Sequence, residues 1–192
     1  MLLTADRICP LVLRGQRVQA AITVFEDEAQ RRAAAGLGAL DQRSLLTFLF
    51  NLPAGVPVPL DQLDASDRRR ASTAPSGVVE VDQEHGVVVR RIVPVVRVEQ
   101  VLVHAKDWDQ GVRLASQFGP FCTRAFIVPE GTPDTDLIVL KARYYGVGVA
   151  VQAPGGSSRW LLEPAPYRPR RHSPAQWLFH EQAWRQMGSW RR

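Results

Sequence analysis

Two rhythms of apolar and polar positions run through this chain. From Val98 to Val151, three short apolar, β-branched runs are separated by two segments of helical period, the pattern of strand, crossover helix, parallel strand, helix and strand. Gln100 to His104 is the first strand. Asp107 is placed to cap the helix that follows, whose stripe is Trp108, Val112, Ala115 and Phe118 and whose end is Gly119-Pro120. Arg124 to Val128 is the second strand, stopped by Pro129. Thr132 caps the next helix with Pro133 at its first position, and Leu137, Leu140, Ala142 and Tyr144 carry it to Gly146. Val147 to Val151 is the third strand. Right-handed crossovers and cover on both faces are expected of such a sheet.

Upstream, the spacing predicts an amphipathic helix over 16–34, with Val18, Ala21, Ile22, Phe25 and Ala29 on one face and Glu26, Asp27, Glu28, Arg31 and Arg32 elsewhere. Gly36 and Gly38 end it. Asp41 caps a second helix reaching Leu52, and 53–59 is a turn-rich link. A short helix from Leu60 meets Arg68, Arg69 and Arg70, and STAPSG is a loop. The run GVVEVDQEHGVVVRRI alternates on either side of Glu84-His85-Gly86, the pattern of a β-hairpin. Downstream, 159–164 suits an edge strand, and Ser173-Pro174 opens a helix bearing Trp177, Leu178, Glu181 and Trp184. The expected architecture is α/β, a mixed sheet with a β-α-β-α-β core flanked by helices. N-terminal helices occupy 1–77, the hairpin 78–92 lies within an α/β core over 78–164, and a basic segment with a tryptophan-rich helix fills 165–192.

A chain of 192 residues, 45% hydrophobic and 22% charged, can bury a sizeable core. No apolar run approaches a membrane span and no signal peptide is visible, so a cytosolic protein with no membrane partner is expected. Cys9 and Cys122 have no zinc or redox spacing and are expected to be buried thiols. The placement of charge is more informative. Residues 155 to 192 hold seven arginines against Glu163 and Glu181, a net of +5 that equals the net charge of the whole chain. A basic tail on a neutral body points to a polyanion. Arg68, Arg69, Arg70, Arg90, Arg91, Arg168, Arg170 and Arg171 are the candidate phosphate contacts, with Tyr167 placed to stack on bases. The plainer alternative is an arginine-loaded surface, since Lys106 and Lys141 are the only lysines.

Helix, short helix, basic segment and hairpin is also the order of a winged helix-turn-helix over 41–93. The alternative there is that the helices cover one sheet face and the hairpin extends the sheet. Trp177 and Trp184 can form an exposed ridge for a partner or a second copy, or pack inward.

One strand end carries possible chemistry. His104 and Lys106 are two apart and would share a face at the carboxyl edge of the sheet, where ligands of open α/β sheets bind. A strand ending in x-Ala-Lys, then Asp107-Trp108 opening a helix, then a strand followed by Pro129-Glu130 and a helix leading into Gly146-Val147-Gly148 resembles the core of the PD-(D/E)-x-K restriction-endonuclease-like superfamily. The resemblance spans about residues 85 to 152. It implies a nuclease fold in which an acid two before the lysine and another on the preceding strand hold Mg²⁺. Here His104 stands at the acid's place and the preceding strand reads RRIVPVVRVE, while Mg²⁺ prefers hard oxygen ligands. The resemblance therefore implies a degenerate site, with His104, Lys106 and Asp107 as its remnant and no metal or other cofactor. A non-catalytic nucleic-acid-binding protein is the expected function. The alternatives are a Mg²⁺- or Mn²⁺-dependent nuclease with a site rearranged onto Asp107, Asp109 and Lys106, and a scaffold subunit docking through its C-terminal helix. No Gly-rich phosphate cradle or G-x-S-x-G elbow is present.

Overall fold

The computed structural model describes residues 2–3, 5–133, 135–169 and 172–189, and the chain separates into two compact units. Unit 1 holds residues 1–24, 96–171 and 186–192, and unit 2 holds 25–95 and 172–185.

Unit 1 is a six-stranded mixed sheet. Its strands are β1 (Arg7–Leu13), β2 (Gln16–Val24), β6 (Val96–His104), β7 (Thr123–Pro129), β8 (Gly148–Gln152) and β9 (Ser158–Leu162), in the order β1-β2-β6-β7-β8-β9. The central three are parallel, as the sequence pattern requires, and antiparallel strands flank them. Continuous burial of Ala125 to Val128 and of Gly148 to Val151 follows from cover on both faces. Helices α4 (Trp108–Ser116) and α5 (Thr135–Tyr145) pack beside each other. Asp107 caps α4, its carboxylate accepting the Gln110 N–H at 2.8 Å. On α4, Gly111 lies so close to Phe126 that a Cβ would sit 2.3 Å from the ring. The other sheet face is a floor of Ala21, Leu102, Ala125, Ile127 and Ala150 under Leu2, Leu3 and Trp160.

One expectation is corrected here. Residues 16–24 form β2 and not the start of a helix. Val18, Ala20, Ala21 and Ile22 are all buried, because an interior strand is covered on both sides, and a bulge between Ala21 and Ile22 breaks the alternation further. A helical spacing then fits the same residues by accident. The β1–β2 turn has positive φ at both Arg14 (51°) and Gly15 (75°), a two-residue hairpin turn. Helix α5 begins at Thr135, and the Thr132 hydroxyl donates back to the Pro129 carbonyl at 2.6 Å.

Unit 2 contains α1 (Glu26–Ala34), α2 (Arg43–Asn51), α3 (Ala65–Thr73), a three-stranded sheet and most of α6 (Pro174–Ser189). The sheet strands β3 (Pro57–Pro59), β4 (Val79–Asp82) and β5 (Val87–Arg90) lie in the order β3-β5-β4, all antiparallel, and β4–β5 is the expected hairpin. The core is Leu45, Leu46, Phe48, Leu49, Val78, Val88, Ile92 and Trp177. Asp41 does not cap α2. Gln42 holds that position without a side-chain bond, and the Asp41 carboxylate instead meets Arg185 at 3.4 Å. A 3-10 turn over Leu60–Gln62 precedes α3, which takes in the arginine run and is capped by Asp64.

A charged cluster is buried inside unit 2. Arg32 is fully buried and grips Glu181 with two bonds of 2.8 and 2.7 Å. Its Nε donates to Glu28 at 3.0 Å and its other Nη2 proton reaches the Val93 carbonyl at 2.6 Å. Glu181 also accepts the Leu40 N–H and the Trp177 indole N–H, each at 2.9 Å. Glu28 and Arg32, expected on a polar outer face, are thus core residues. Every oxygen and nitrogen that matters has a partner, as burial of charge demands.

Candidate functional site

The expected remnant of a catalytic site sits at the carboxyl edge of β6 in unit 1. His104 is the last residue of the strand and is exposed. The strand ends there, so Lys106 does not follow the two-residue alternation. His104 lines a hollow of about 400 Å³ with Gln19, Leu102, Ile127, Gln152 and Ser158. Lys106 lines a different cleft, of about 500 Å³, with Asp107, Asp109, Glu130, Thr132 and Lys141. His104 and Lys106 thus line separate hollows. The Lys106 side chain is 78% exposed, with its Nζ 3.9 Å from Asp107, a separation worth little in water. Asp107 is occupied as the helix cap.

Both lysines of the chain meet in that cleft, yet three carboxylates meet them there, so its charge is balanced or slightly negative. Glu130 is also met by Arg159 at 3.5 Å. Among the described residues, no group of three or more His, Cys, Asp or Glu is arranged to hold a metal ion.

The arginines expected to touch phosphate divide by environment. Arg90 is turned inward, donating to the Leu49 carbonyl at 2.8 Å with its guanidinium 5.2 Å over the Trp177 ring. Burial lowers its pKa from the usual arginine value. Arg91 is held by Glu80 at 2.8 Å, Arg70 by Asp67 at 2.7 Å, and Arg68 by the Leu63 and Asp61 carbonyls. Among Arg68, Arg69, Arg70, Arg90 and Arg91, only Arg69 is exposed with no side-chain partner among the described residues. The hairpin tip beside them is acidic. Hydrogen bonds from the His85 backbone and ring hold Asp82 below its ordinary range, and Glu84 is next to it.

No family model, curated protein or solved structure matches the chain. Charge and geometry must locate the site.

The amino edge of the parallel strands in unit 1 is different from the carboxyl edge. Tyr167 is pinned at the start of β7, its N–H donating to Thr123 Oγ1 at 3.0 Å and its hydroxyl to the Pro120 carbonyl at 2.7 Å. Burial, and then the nearby Cys122, raise its pKa. Tyr167 is thus an anchor, which corrects its expected role in stacking on bases. Its anchorage places exposed Arg168 beside the start of β7. There half-buried Arg124 donates to the Tyr145 carbonyl at 2.6 Å and keeps a buried Nε without a partner among the described residues. The neighbouring acid, Glu99, is taken up by Arg97 at 2.6 Å and by the Thr23 hydroxyl at 2.9 Å. Arg170 and Arg171, which continue this segment, lie outside the described residues. Arg124 was not singled out from sequence. Its position at the first residues of a buried strand, where a cation has to point out of the sheet end, was the available signal.

The tryptophan ridge is corrected as well. Trp177 is 4% exposed and belongs to the core of unit 2, and Trp184 is half-buried. Cys122 is fully buried and Cys9 partly so, both as free thiols.

Proposed function

We propose that this chain is a non-catalytic nucleic-acid-binding protein that holds the polyanion on unit 1, at the basic amino edge where Arg124 and Arg168 stand, with Arg170 and Arg171 following them in sequence. The observation that carries the reading is the partition of charge. By sequence, unit 1 has fifteen arginines and lysines against eight acids, a net of +7, whereas unit 2 has nine against eleven, a net of −2. A field of one sign on one unit raises the local concentration of a polyanion. The carboxyl edge supports hydrolysis poorly. Asp107 caps a helix, and phosphodiester attack needs a positioned metal or its equivalent.

Fluorescence anisotropy with labelled duplex and single strands over a salt series tests this. Affinity is expected to fall steeply with salt, and Arg168→Glu with Arg170→Glu and Arg171→Glu to weaken binding uniformly and flatten the salt slope. Products run on a gel with Mg²⁺ and Mn²⁺ present decide against the nuclease alternative if the strands stay whole. No binding at low salt would end the reading.

A second reading puts a duplex on unit 2. The succession α2, β3, α3 and hairpin, with the strand order β3-β5-β4, resembles a winged helix-turn-helix, and α3 would be its recognition helix. The acidic hairpin tip and the paired state of Arg68 and Arg70 weigh against it. Loss of binding in Arg69→Glu, with the 168–171 variants unaffected, would favour it.

A further inference from the structure

Helix α5 of unit 1 buries Ile138 and Ala142, yet its opposite face is also apolar. Leu137, Leu140 and Tyr144 are 53%, 65% and 84% exposed. Spaced by three and four, they form one stripe along the helix, which is a patch and not a scatter of single apolar residues. Asp136 and Arg143 flank the stripe on the same side. Seven residues, or two turns, separate them, and both are exposed with no partner among the described residues.

We propose that this face of α5 packs antiparallel on the α5 of a second copy of the chain, giving a two-fold dimer. A two-fold axis across the helix reverses its direction and keeps each flank on its own side, so the patch must complement itself. The midpoint between Asp136 and Arg143 falls between Val139 and Leu140. With the axis there, Asp136 of each copy stands opposite Arg143 of the other, twice. In the same register the two Leu140 side chains straddle the axis, and Leu137 of each copy falls between Leu140 and Tyr144 of the other. Charge and apolar alternation select one register together, which a surface made for an unrelated partner has no reason to do. The 11-residue helix is only about 16 Å long, so the contact lies below the standard interface size of about 1,200–2,000 Å². The dimer is therefore reversible and dependent on concentration. The inference does not rest on the nucleic-acid reading.

Sedimentation velocity of the full chain over a concentration series, without nucleic acid, tests it. Self-association is expected, and Leu140→Glu, at an exposed position that leaves the fold intact by circular dichroism, should abolish it. Asp136→Arg places two arginines on the flank and Arg143→Asp two aspartates, so each variant alone should be monomeric. Mixed in equal amounts, the two should dimerise, because every pair across the axis is again opposite in charge. Wild-type protein monomeric to its solubility limit would overturn the proposal, and that is the outcome if α5 serves a different protein or stacked bases. A mixture of the two variants that stays monomeric would overturn it equally.

Discussion

At the scale of single residues, the buried cluster around Arg32 is the costliest feature to disturb. Removing one partner of a buried ion pair leaves the other charge without water or counterpart, a loss of about 3–5 kcal/mol. Glu181→Ala should therefore lower the free energy of unfolding of unit 2 by about that amount, read by denaturant titration. Glu28, on the edge of the cluster, gives the dependence on pH. Burial pushes its carboxyl up, but hydrogen bonds from Arg31, Arg32 and the Val93 N–H outweigh burial and leave its pKa below the ordinary value. A depressed pKa means stability that is complete above the unfolded glutamate value and is lost as pH falls through the folded one. The Tm should drop on acidification through that window, and Glu28→Gln should flatten the drop. Cys122 behaves oppositely. Burial pushes its thiol up to about 12, and the thiolate is the reactive form, so a thiol reagent should modify Cys122 only after unfolding. Asp107 separates structure from catalysis. As a cap it should cost about 0.5–2 kcal/mol on change to Ala, with nucleic-acid affinity unchanged.

At the scale of elements, the packing of α4 on β7 shows two local effects in opposition. Gly111→Ala would gain about 0.8–1.0 kcal/mol of helix propensity. The new Cβ would lie 2.3 Å from the Phe126 ring, though, and overpacking of this kind costs about 1–3 kcal/mol or more. The clash should win, and the variant should melt lower than wild type. The same elements show what the sequence could reveal. The β-α-β-α-β unit was readable because parallel strands buried on both faces give unbroken β-branched runs and their crossovers keep a clear helical stripe. The Asp107 cap and the 79–90 hairpin were readable from local chemistry for the same reason. The strand 16–24 was not, since small residues buried on both sides and a bulge erase its alternation. Nor was the inward turn of Arg90 and Arg32, because burial of a charge depends on partners 41 to 149 residues away. The candidate site moved for a similar reason. Arg124 and Arg168 are brought to one edge by the anchorage of Tyr167, a contact 44 residues apart in sequence, and no local pattern encodes it.

At the scale of the whole molecule, the chain leaves the sheet of unit 1 after β2 and returns to it in β6, and those two strands are antiparallel neighbours with Val24 opposite Val96. The ends of the 25–95 segment therefore stand where a hairpin turn would fit, the geometry that tolerates insertion and removal of a segment. Unit 2 in turn needs the late helix α6, because Trp177 and Glu181 complete its core. Removing 25–95 while keeping α6 would leave an apolar helix face without its core, so both must go together. A chain of residues 1–24, an Asn-Gly turn and residues 96–171 should keep the six-stranded sheet. It loses the bonds between Gln186 and the Val12 backbone at the β1 edge and the burial of Met187. Hydrogen exchange should show protected amides in β6, β7 and β8. By sequence this chain keeps thirteen basic residues against eight acids, and all the proposed contacts. If the polyanion rides on unit 1, its affinity and salt slope should stay close to those of the full chain. A folded sheet that no longer binds would move the interface to unit 2.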